Sequence, residues 1–123
     1  MEINQITGVV ITAAMKVHSA LGPGLLESAY EACLIYEIRR NNLDVKSQLP
    51  LPVMYEGIRI DAGYKIHLLV EDTVVVELKT VERIQPVHQA QLLSYLRLAN
   101  KRTGLLINFH VARLRDGIKR MVN

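Results

Sequence analysis

The segment from Thr73 to Phe109 constrains the fold more than any other part of this 123-residue chain. Thr73 to Lys79 is rich in β-branched residues and splits into two faces, with Thr73, Val75, Glu77 and Lys79 on one and Val74, Val76 and Leu78 on the other. Pro86 suits the first turn of a helix, and Val87, Leu92, Leu93, Leu96 and Ala99 then recur at helical spacing to about Lys101. Thr103 to Phe109, with Leu105, Leu106 and Ile107 in succession, reads as a strand buried on both faces. Strand 73–79, helix 86–101 and strand 103–109 are therefore expected to form a βαβ unit, parallel and right-handed.

The N-terminal third is helical in pattern. Ile3, Ile6, Val10, Ala13, Ala14, Val17 and Leu21 describe one helix face that stops at Gly22-Pro23-Gly24. Leu26, Ala29, Tyr30, Cys33, Leu34 and Ile38 share the face of a second helix, from about Leu26 to Asn41. Between Val45 and Lys79 the pattern alternates, and strands are expected at 46–55, 58–70 and 73–79, joined as a meander. Pro50 and Pro52 confine the first of them to an edge or a bulge. The basic tail, Val111 to Val122, fits a further strand or a helix. The expected fold is α/β: two helices, a three-strand meander and a βαβ crossover in one mixed sheet, with residues 1–123 as one domain.

Half of the residues are hydrophobic, enough for a core without disulfides or a structural metal. The single cysteine, Cys33, lies on a helical apolar face and reads as a buried, reduced thiol. The start, Met1-Glu2-Ile3-Asn4, lacks the pattern of a signal peptide, and no segment reaches the ~20 apolar residues that span a bilayer, so a cytoplasmic protein without a membrane partner is expected. A net charge of +3 and a pI near 9.2 permit a polyanionic partner without demanding one.

Glu77 and Lys79 project together at the carboxyl end of a strand entering a crossover, where ligand sites in such sheets gather. His88, Gln91 and Tyr95 are spaced by three and four and line one stripe of the helix that packs back on that strand. Glu27 opens the second helix with Tyr30 one turn on, just after the Gly-Pro-Gly stop. His18 stands near the end of the first helix, where its charge suits the dipole or its ring reaches the cleft.

Gly24, Glu27 and Tyr30 match the signature of the prokaryotic GxxExxY family, which is assigned to the PD-(D/E)xK nuclease-like superfamily, and the chain resembles that family along nearly its whole length. Leu21-Gly22-Pro23-Gly24, the ExK element Glu77-Leu78-Lys79, the QxxxY element from Gln91 to Tyr95, and the run Gly104 to Phe109 occur in the family's order. The resemblance implies a divalent-metal nuclease acting on DNA or RNA, with Glu27, Glu77, Lys79, Gln91 and Tyr95 in the catalytic set and Gly24 and Tyr30 in support; His88 joins the supporting residues through its place on the helix stripe. The resemblance also implies Mg²⁺ or Mn²⁺, held by Glu27, Glu77, a carboxylate of the preceding strand and the Leu78 carbonyl. The metal would activate a water, and Lys79 would position that water or stabilise the phosphoryl oxygens.

This chain departs from the family where that strand reads His67-Leu68-Leu69-Val70-Glu71, because His67 stands where the family usually has the metal-binding Asp. A three-residue loop, Glu71-Asp72-Thr73, would set His67 opposite Glu77, with Cβ atoms roughly 5 Å apart. As a ligand beside Glu27 and Glu77, His67 would favour Mn²⁺, Fe²⁺ or Zn²⁺ over Mg²⁺. Asp61 shares its strand parity but lies about 20 Å away along an extended strand unless a bulge, for instance at Gly63, intervenes. Three readings follow: a metal-dependent nuclease; a catalytically degenerate nuclease fold that binds nucleic acid or a protein partner; and an oligomer that uses its helices as an interaction surface. The few aromatic residues argue against a base-stacking platform.

Overall fold

The computed structural model describes residues 1–123. Helices α1 (Ile3–Leu21) and α2 (Glu27–Arg40) lead, followed by strands β1 (Val45–Pro50), β2 (Val53–Tyr55), β3 (Ile58–Ile60), β4 (Lys65–Val70) and β5 (Val74–Lys79). Helix α3 (Pro86–Ala99), strand β6 (Thr103–Asn108), a 3-10 turn (Leu114–Gly117) and strand β7 (Ile118–Val122) complete the chain. The main sheet has the order β1-β4-β5-β6-β7, with β5 and β6 parallel and the other neighbours antiparallel. The tail thus ends as a strand on β6. No helix is long and apolar enough to cross a membrane.

The two-residue periodicity of the strands divides the core into two layers. Val74, Val76 and Leu78 of β5, with Leu105 and Ile107 of β6, pack with Val10, Tyr30 and Leu34 of α1 and α2. Val75 and Leu106 pack on the other side with Leu92, Tyr95 and Leu96 of α3. Val74, Val75, Val76 and Leu78 are all fully buried, each contributing on the order of 1.5–3 kcal/mol of burial. β6 can lie close under α3 because residue 104 is glycine; a Cβ there would come within 3.1 Å of the Leu92 side chain.

The two long strands expected at 46–55 and 58–70 are each broken. Pro50 and Pro52 end the first, since neither offers an amide to a ladder, and Gly63, at φ +86°, lies in the loop that separates β3 from β4. The result is a separate hairpin in which β2 pairs with β3, leaving β1 and β4 as neighbours in the main sheet. Asp61 lies in the loop after β3 and pairs with Arg59 at 3.0 Å. Cys33 is half-buried against the helical layer. His18 is buried and bonds through Nε2 to the Val111 carbonyl at 2.8 Å, tying α1 to the tail.

Candidate active site

The turn between α1 and α2 sets the position of Glu27. Gly22 caps α1 at φ +73°, its amide donating to the His18 carbonyl at 2.8 Å. The Tyr30 hydroxyl accepts the Leu25 amide at 3.0 Å and donates to the Gly22 carbonyl, while its ring stacks on Phe109 with centroids 4.4 Å apart. Tyr30 is fully buried. One turn earlier, Glu27 stays partly exposed and brings Oε1 to 3.5 Å from Nε2 of His67. In this motif the tyrosine clamps the turn and the glutamate is what the turn presents.

β4 and β5 set the opposite wall. The turn after β4 is closed by the Thr73 amide on the Val70 carbonyl at 3.0 Å, with Glu71 and Asp72 both at positive φ. The register runs Val70↔Val74, Leu69↔Val75 and Leu68↔Val76. Its next step sets His67 against Glu77, as the three-residue loop requires. Here the ladder opens and side chains take over the bonding. The His67 amide donates to Glu77 Oε1 at 3.1 Å, and the Leu78 amide donates to His67 Nδ1 at 3.1 Å.

That last bond fixes the imidazole. A ring nitrogen that accepts an amide hydrogen carries no proton, so neutral His67 is protonated on Nε2, the nitrogen facing Glu27. Nδ1 also lies 3.6 Å from Glu77 Oε2, but its lone pair is engaged by Leu78, so this is proximity and not a hydrogen bond. Glu77 itself is buried. Burial pushes its pKa upward and the Glu27 charge adds to the effect, against the opposing pull of His67 and Lys79.

α3 borders the same cleft. Gln91 Nε2 donates to the Tyr95 hydroxyl at 3.2 Å, and the Tyr95 pKa is raised by burial first, then by the Glu77 charge and by Tyr64. His88 does not join them. Its Nδ1 accepts the Gln85 amide at 2.9 Å, which makes it part of the cap that starts α3. Two residues escaped sequence reasoning. Asn108, buried, bonds to both the amide and the carbonyl of Val81 and so pins the segment that leaves Lys79; a polar residue ending an apolar strand was the available signal. Tyr64 meets Tyr95 with ring centroids 5.8 Å apart, a contact between distant segments that no local pattern announces.

The donor set can be tested against the divalent ion that the family resemblance implies. Glu27 and Glu77 supply two carboxylates, but the only other side chain between them is an imidazole with one nitrogen bonded to Leu78 and the other protonated. Asp61 is elsewhere, and no group of three or more His, Cys, Asp or Glu side chains is arranged to hold a metal. The residues as arranged do not fit a hard cation, which wants several oxygen donors. Lys79, by contrast, has no carboxylate within ion-pairing distance.

The fold and this strand-end cleft define the class. The model of the PD-(D/E)XK nuclease superfamily matches residues 4–121. The chain belongs to that superfamily. No curated protein and no solved structure matches it significantly.

Proposed function

We propose that this chain is a GxxExxY-type member of the superfamily that binds nucleic-acid phosphodiesters at the Glu77–Lys79 cleft without hydrolysing them. Gly24, Glu27 and Tyr30 support the subfamily. The observation that carries the reading is the Leu78 amide on His67 Nδ1, which leaves a protonated nitrogen where a metal would need a lone pair. Lys79 has no carboxylate partner and offers charge to a phosphate, while the Tyr95 hydroxyl and Gln91 amide offer hydrogen bonds. The free thiol Cys33 suits a reducing, cytoplasmic setting.

Metal-dependent cleavage is the competing reading, favoured by the convergence of Glu27 and Glu77 on either side of the ring. Calorimetric titration of Mn²⁺, paired with a cleavage assay on labelled DNA and RNA, separates the two. Wild type should neither bind Mn²⁺ stoichiometrically nor cut, yet should bind nucleic acid with an affinity that falls steeply with salt and drops in Lys79→Ala. His67→Asp should gain Mn²⁺ binding. Stoichiometric Mn²⁺ binding by wild type, lost in Glu77→Ala together with cleavage, would establish the nuclease instead.

A further inference from the structure

Beside the cleft lies a pocket of about 330 Å³ between the Tyr64 loop and α3, lined mainly by Tyr64, Val87, Ala90, Gln91, Tyr95 and Leu98. We propose that it holds one unpaired nucleobase, making single-stranded nucleic acid the preferred ligand; the inference rests on the nucleic-acid reading above and specifies its strand class. The volume is at the small end of ligand pockets and suits a single base with its sugar.

Three features favour a base over another apolar occupant. First, the wall is aromatic on one side. Tyr64 keeps 44% of its surface exposed, and its ring is tilted 56° to that of the buried Tyr95, so the Tyr64 face is not consumed by stacking. Second, the pocket carries unused hydrogen-bonding capacity. Gln91 spends its amide nitrogen on Tyr95, leaving its oxygen without a protein partner, and the exposed Ser94 hydroxyl at the rim bonds to no protein group. Such groups meet the edge of a base.

Third, the pocket shares Gln91 and Tyr95 with the border of the strand-end cleft. Tyr95 lines the pocket and also feels the Glu77 charge, and Tyr64 stands three residues before His67 on the approach to β4. In this proposal the strand runs from the base at Tyr64 toward Lys79. A base stacked and paired in a duplex cannot enter a pocket of this kind; an unpaired one can, at little cost. Although the chain is poor in aromatics, two of its six are gathered at this one place.

The test is fluorescence anisotropy with labelled oligonucleotides of one length, single-stranded and duplex, on wild type, Tyr64→Leu, Tyr64→Phe and Ala90→Trp. Wild type is expected to bind the single strand more tightly. Tyr64→Leu should lose roughly ten-fold or more for the single strand and leave duplex binding unchanged, while Tyr64→Phe, which keeps the ring, should match wild type. Ala90→Trp, at an exposed helix position, should give the same selective loss by filling the pocket, and it serves if Tyr64→Leu fails to fold. If wild type binds nucleic acid but Tyr64→Leu and Ala90→Trp bind single strands equally well, or lose single-strand and duplex binding alike, the base pocket is refuted and the phosphate reading stands. If wild type binds neither form, both fall.

Discussion

Replacing Tyr30 by phenylalanine isolates what the hydroxyl of the GxxExxY motif does. The ring would keep its stack on Phe109, at 4.4 Å and 11°, and no cavity would open in the layer beneath α1 and α2. What disappears is a pair of hydrogen bonds, the Leu25 amide onto the hydroxyl and the hydroxyl onto the Gly22 carbonyl. At a net ~1 kcal/mol each, with an added penalty if either backbone group is left dry, the loss comes to about 2 kcal/mol of unfolding free energy. For a chain of this length that corresponds to a fall in Tm of roughly 6–10 °C. Urea denaturation followed by circular dichroism reads it directly: the midpoint should fall while the m-value stays constant, since the surface exposed on unfolding is the same. Tyr30→Leu removes the stack as well and leaves a void, so it should cost ~3–5 kcal/mol. A Tyr30→Phe protein within about 0.5 kcal/mol of wild type would mean that glycine and proline alone hold the turn, and the account of the motif given above would be wrong.

Glu77→Gln should stabilise the protein at neutral pH, with the advantage disappearing in acid. The folded pKa lies above the ordinary value of 4.5, so below that value both states are protonated, and the wild type loses stability as pH rises from there through the folded pKa. Melting curves across this range check it, and a difference independent of pH would refute burial as the dominant influence on Glu77. Gly104→Ala should lower stability by ~1–2 kcal/mol because Leu92, 3.1 Å from the new Cβ, is buried and has little room to turn. An unchanged urea midpoint would show that α3 moves freely over β6.

The sequence was most legible where one period governs a whole element. α1 spans the expected residues, and the division of β5 between two core layers follows from Val74, Val76 and Leu78 facing the opposite way to Val75. Counting three residues in the 71–73 loop was enough to set His67 against Glu77. The turn between residues 55 and 58 was legible, but the separation of its hairpin from the main sheet was not, because Pro52 and Gly63 tell where a strand cannot continue but not where the chain goes next. His88 shares helical spacing with Gln91, yet it sits in the first turn, where free amides compete for its ring. The state of His67 was hidden for a different reason. It depends on where the β4–β5 ladder stops and on which backbone amide is thereby released, and neither is a property of residue 67 or its neighbours in the chain.

The opened ladder also gives the site its own spectroscopic reporter. Along most of β4 and β5, an amide proton can exchange with solvent only when the strands part. The amides of His67 and Leu78 are held by side chains instead, so rotation of Glu77 or of the imidazole is enough to release them. Their exchange rates and shifts in a nuclear magnetic resonance spectrum therefore follow the arrangement of the cleft itself, separately from the stability of the sheet around it.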